Sequence, residues 1–253
     1  MAAKRTNNGY QILNRVELVY GTLTPLERGT RGTHLCVVRL GNETHRAYVK
    51  QLTAEQIAAE RFCAALMSST GLSTLLTAVV EIEGRDWFCS LDAEYPDLSR
   101  RFGIPESRSE QERYERFLAA VQAVCELDQT PLATALDELV GNGDRNLENI
   151  LSEGGNEAIW IDHERVFDME GSRDINYLVE MVVKFTGGGE WLQNAAVAKA
   201  LQLQRDMIRI AGEIHSQMAD SEPFVAFVKA RSGKWAGRLL DRFPSYENDI
   251  FSQ

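Results

Sequence analysis

The segment GNGDRNLENILSEGGNEAIWIDHERVF, residues 141–167, constrains this chain more than any other stretch. It sets Asp144, Asn149 and Asp162 in the order D-x4-N-x12-D. A polar loop over 143–148 leads into a short apolar run, Asn149 to Leu151. A Gly-Gly-Asn turn follows at 154–156, and a second apolar run, Ala158 to Ile161, ends at Asp162. Short apolar runs bounded by turn residues predict a β-hairpin, here with polar side chains at both ends. Random placement of 13 Asp and 11 Asn gives this spacing in roughly 3% of chains of this length. Taken singly, Asp144 and Asn149 read as turn and capping residues, and Asp162 as a strand-end carboxylate. That reading accounts for each residue but not for their joint order.

The joint order suits one chemistry. Phosphoryl transfer from ATP needs a carboxylate near the acceptor hydroxyl, then a carboxamide and a second carboxylate to hold magnesium on the phosphates. Composition is compatible. A chain of 253 residues with 44% hydrophobic content can build one large domain or two lobes around a cleft. No run of 18 apolar residues occurs, so no membrane contact is expected. The N-terminus MAAKRTNNGYQIL lacks an apolar core, so no secretory signal is expected. Cys36, Cys63, Cys89 and Cys125 lack metal-ligand spacing and read as reduced core residues of a cytoplasmic protein. A net charge of −10 argues against nucleic acid as a partner.

Along the chain, residues 10–22, 33–40, 45–52, 75–83 and 86–91 read as strands, with a turn-rich loop at 24–34. A helix is expected over 53–68, with Thr53 as its N-cap. Residues 92–111 are polar and contain two prolines, which reads as a linker. Helices are expected at 109–127 and 131–140 before the hairpin. After it they are expected at 173–185, 191–218, 222–230 and 234–242.

A small sheet with one helix, a linker and then a helical region holding D-x4-N-x12-D is similar to the protein-kinase-like fold. The string GDRNLENIL resembles the catalytic loop of phosphatidylinositol-kinase-like and HipA-like kinases, which typically read GDRHxxN. IDHE stands where those kinases have Asp-Phe-Gly or Asp-His-Gly. The chain looks most like the compact bacterial HipA-like kinases. The resemblance implies an α+β, two-lobed fold: an N-terminal nucleotide-binding lobe over 1–92, with a small antiparallel sheet and one helix, and a helical catalytic lobe over 93–253. It implies ATP and Mg2+ as cofactors. Asp144 then looks like the catalytic aspartate, with Asn149 beside it, and Asn149 and Asp162 look like the magnesium ligands. Lys50, in AYVKQL, looks like the lysine on the α- and β-phosphates. Glu60, in AAERF, looks like its carboxylate partner, with Glu55 and Gln56 as rivals. Gly29 and Gly32, in the loop RGTRGT, would let backbone N–H groups approach the phosphates. Lys50 also fits an edge lysine with a solvated head, and the glycine pair fits an ordinary turn.

The chain departs from the family pattern at Asn146, where the family has His, and at His163-Glu164, where it has Phe-Gly. The resemblance implies an ATP- and magnesium-dependent kinase acting on a hydroxyl, most favourably Ser or Thr of a protein, with a regulatory protein partner. The alternatives are a small-molecule phosphotransferase of the aminoglycoside or choline kinase type, and a nucleotide-binding pseudokinase without turnover.

Overall fold

The computed structural model describes residues 12–26, 32–167, 174–187, 189–218 and 220–244. Six strands come first: β1 (Arg15–Leu18), β2 (Thr24–Pro25), β3 (His34–Leu40), β4 (Glu43–Lys50), β5 (Thr77–Ile82) and β6 (Arg85–Leu91). Helix α1 (Ala54–Ser69) is inserted between β4 and β5. The sheet runs β1-β5-β6-β4-β3-β2, and β1 also pairs with β3. Five strands therefore close into a ring, which removes the exposed edges an open sheet of short strands would leave. The expected antiparallel sheet is corrected in two ways. It is a closed barrel, and β1 pairs with β5 in parallel, with Arg15 opposite Val79 and Val16 opposite Val80.

Strand alternation fixes what each face carries. Val16, Val38, Ala47, Val49, Val80 and Cys89 fill the barrel interior. Lys50 follows Val49 and so points to the outer face, where its partner Phe88 packs with Leu52, Ile57 and Val79. Helix α1 begins with a reciprocal capping box. The Thr53 hydroxyl accepts from Gln56 N–H at 3.2 Å, and Gln56 Oε1 accepts from Thr53 N–H at 3.1 Å.

The region expected as a linker carries a short helix, α2 (Leu98–Arg101), capped by Asp97. Then follow α3 (Glu110–Glu126) and α4 (Thr130–Val140). A 3-10 turn (Leu147–Asn149) leads into the hairpin of β7 (Ile150–Gly154) and β8 (Glu157–Trp160). Last come α5 (Tyr177–Thr186), α6 (Glu190–His215), α7 (Glu222–Ser232) and α8 (Trp235–Arg242). The main core joins Phe62, Leu66 and Met67 of α1 to Leu136 and Leu139 of α4, Trp160 of β8, and Phe224 and Val228 of α7. Phe62, Phe167 and Phe224 pack against one another with centroids 4.9 to 5.8 Å apart, Phe167 and Phe224 stacked and Phe62 edge-on to Phe167. Among the described residues no helix is long and apolar enough to cross a membrane.

Candidate active site

The hairpin brings the ends of the 141–167 segment together. Ile150 pairs with Trp160, and Ile161 N–H donates to the Asn149 carbonyl at 3.1 Å, so Asn149 lies one residue from Asp162 across the ladder. The hairpin is pinned in turn to the chain after α1, because Trp160 N–H donates to Ser73 O at 2.9 Å.

The loop before the hairpin is held by a buried ion pair that the sequence does not announce. Arg145 has no exposed surface, and its guanidinium meets both oxygens of the equally buried Asp137 at 2.9 Å. Arg145 also donates to the Ile161 and Asn149 carbonyls, at 2.5 and 3.3 Å. Burial opposes its charge, but Asp137 outweighs burial and keeps the pKa above its ordinary value. Asn142 extends the network: its Nδ2 donates to Asp137 Oδ1 at 3.0 Å, and its Oδ1 accepts from Asp144 N–H at 3.2 Å. Helix α4 thereby sets the backbone of the loop that presents Asp144.

Asn149 is buried, and its Nδ2 donates to the Asp144 carbonyl at 3.0 Å. That bond orients the carboxamide and leaves Oδ1 as the atom suited to a metal. The Asp144 side chain is about half exposed, with Oδ2 3.2 Å from Arg165. Asn146, where the family has His, turns inward on the loop: it accepts from Glu148 N–H and donates to the Asp144 carbonyl.

Asp162 adopts a positive φ of 64°, a conformation that costs most residues energy and that Asp tolerates better than most. The residues around this turn each meet another site group. Lys50 Nζ lies 3.1 Å from Asp162 Oδ1 and 3.4 Å from Glu164 Oε2. His163 N–H donates to Glu60 Oε2 at 2.9 Å, and its ring Nδ1 lies 3.5 Å from the same oxygen. Burial would depress the Lys50 ammonium, but Asp162, Glu60 and Glu164 together raise its pKa above the usual value. Burial would likewise raise Asp162, yet Lys50, His163 and Arg145 hold its carboxyl below the ordinary carboxylate range. Both groups are charged at neutral pH.

The placement of Glu60 departs from the expected pairing. Among the described residues the carboxylates within ion-pair distance of Lys50 are Asp162 and Glu164. Glu60 is buried beside them, but its Oε2 is engaged by His163 and its Oε1 has no hydrogen-bond partner among the described residues. Of its rivals, Glu55 is exposed and Gln56 is committed to the helix cap. Gly29 lies outside the described residues. Gly32 has a φ of +64° just before β3, and its carbonyl accepts a 2.7 Å contact from His34 Nδ1. Sequence reasoning missed Asp137, Arg145, Glu164 and Arg165. Arg145 carried a signal in its place within GDRN, and Glu164 in standing where the resembled kinases have Gly.

Glu60, Asp162 and Glu164 each offer an oxygen within 4.8 Å of the others. An all-oxygen donor set with one unpartnered buried carboxylate oxygen suits a hard divalent cation.

No protein-family profile and no curated protein matches the chain. Solved structures do. The Helicobacter pylori proinflammatory kinase CtkA aligns over 90% of this chain and 98% of its own, with a TM-score of 0.53 at 13% identity. The Shewanella oneidensis MR-1 toxin–antitoxin complex of HipA, HipB and operator DNA provides a second match. It covers 86% of this chain and 65% of that chain, with a TM-score of 0.52 at 12% identity. The chain has a HipA-like kinase fold. In that fold the barrel supplies Lys50 and the hairpin supplies Asn149 and Asp162, and at such identities the likeness concerns architecture alone.

Proposed function

We propose that the chain is an ATP- and magnesium-dependent kinase that transfers the γ-phosphoryl group to a hydroxyl, with Ser or Thr of a protein as the acceptor. One contact carries the reading. Lys50 and Asp162 are 112 residues apart in sequence, yet their side chains meet at 3.1 Å. A partly buried lysine against the carboxylate that follows the hairpin is what nucleotide phosphates and their metal require. On this reading the barrel, with α1, is a nucleotide-binding lobe (1–92), and residues 93–253 form a catalytic lobe.

Asn149 Oδ1 and Asp162 would hold magnesium, whose charge offsets that of the phosphates. Lys50 would contact the α- and β-phosphates. Asp144 would accept a hydrogen bond from the acceptor hydroxyl, aim its oxygen at the γ-phosphorus, and take its proton as the new P–O bond forms and the bond to ADP breaks. Arg165, 3.2 Å from Asp144, would leave that carboxylate as the hydroxyl enters. A regulatory protein partner belongs to the same reading, by analogy with the HipA neighbour, which was solved with HipB. A second acceptor class is favoured by a cavity of about 490 Å3 beside the loop, lined by Tyr114, Phe117, Asn146, Glu148 and Tyr177. That volume suits a small molecule.

Asp144→Asn tests the assignment. ATP affinity by calorimetry should stay near wild type, while transfer falls by a factor on the order of 10² or more. Asp162→Ala should instead abolish magnesium-dependent stabilisation by ATP. Equal loss of ATP binding in both variants would remove Asp144 from its role. ATP binding without transfer to protein or metabolite in wild type would leave a pseudokinase.

A further inference from the structure

Lys50 is a partly buried ammonium, and the carboxylate expected to hold it lies beyond ion-pair distance, with one oxygen engaged by His163. Glu60 and His163 are each 2% exposed, and Glu60 Oε2 receives the His163 N–H at 2.9 Å. Glu60 thus anchors the backbone immediately after Asp162. It adds to the field at Lys50 without reaching ion-pair distance among the described residues. Asp162 does touch Lys50, but in the proposed nucleotide complex it turns to the metal. An ammonium this buried is costly to leave without a partner. One direct carboxylate contact remains, that of Glu164, whose side chain is 9% exposed and lies 3.4 Å from Lys50.

We infer that Glu164 is the positioning residue for Lys50, taking the role expected of a glutamate on α1. The inference rests on the proposed nucleotide site for its functional half. A glycine two residues after Asp162, as in the resembled family, offers no side chain there. In this chain the lysine and its partner are therefore bridged from barrel to hairpin segment, and α1 supports the arrangement one step removed. Glu164 makes no contact with the transferred group. Its work is to hold Nζ where phosphate oxygens arrive once Asp162 has turned to the metal.

Two measurements on the full chain test this. The first uses no nucleotide. Lys50→Met removes the ammonium that Asp162 and Glu164 both contact and should lower the melting temperature. Adding Glu164→Gln to Lys50→Met should raise it again, because one of the two carboxylate charges that Lys50 balanced is removed. Adding Glu60→Gln should lower it further, since Glu60 answers to His163. The second is MgATP affinity by calorimetry. Glu164→Gln should weaken binding roughly ten- to hundredfold, the range for losing a hydrogen bond to a charged group. Glu164→Asp should recover part of the loss, and the acceptor KM should stay unchanged. Additive melting shifts for Lys50→Met and Glu164→Gln, or unchanged MgATP affinity in Glu164→Gln, would overturn the inference. Failure of the wild-type chain to bind MgATP would sink the nucleotide site, and the melting cycle would then decide the Lys50–Glu164 pair alone.

Discussion

Arg145 carries a full positive charge with no exposed surface, and Asp137 answers it with two bonds of 2.9 Å. Removing one partner of such a pair leaves the other charge buried and alone, which costs more than the pair itself contributes. Arg145→Met should therefore lower unfolding free energy by about 3–5 kcal/mol in urea titrations. Arg145→Met with Asp137→Leu should recover much of it. A single-variant loss under about 1 kcal/mol would mean that water reaches the site. The D-x4-N-x12-D spacing is visible in the sequence because its order is unusual, and the hairpin brings Asn149 and Asp162 together. Asp137 was not visible. Seven residues upstream of Asp144, on an amphipathic helix, it has the sequence profile of a solvated carboxylate, and only the docking of α4 under the loop buries it.

Helix α1 links the barrel to the helical region, and its first turn is closed by Thr53 and Gln56. Thr53→Ala should cost about 1 kcal/mol, the usual figure for losing a side-chain N-cap. Urea titration with hydrogen exchange should locate the loss in the first turn. Loss of protection at Glu60 and beyond would mean that the cap governs the whole helix. Thr53 was readable as a cap because capping is local, involving residues three apart. The helical period places Glu60 inward, and burial separates it from Glu55 but not from Gln56, which is also buried. The partner of Glu60 was not readable. Which atom a buried carboxylate meets depends on the backbone of His163, 103 residues away.

The barrel has a core of its own, and α1 joins it to the helices: Ile57 packs with Val79 and Phe88 of the sheet, while Phe62, Leu66 and Met67 pack against α4 and α7. Unfolding one part would expose the other. Thermal unfolding should therefore be a single transition, with far-UV circular dichroism and tryptophan fluorescence coinciding. Trp87 lies on the barrel and Trp235 in the helical core, so fluorescence samples both. Two separated midpoints would argue for lobes that fold independently. At this scale the chain divides cleanly into what sequence determines and what it does not. Helix and strand positions, the hairpin and the spacing of Asp144, Asn149 and Asp162 come from periodicity, turn residues and caps, which act within a few residues. Barrel closure does not, because the parallel β1–β5 pairing joins segments some sixty residues apart through backbone bonds that any sequence can make. Nor do the partners of Lys50, since an ion pair is settled by which carboxylates the folded chain brings within 4 Å and away from water, and among the described residues those are Asp162 and Glu164.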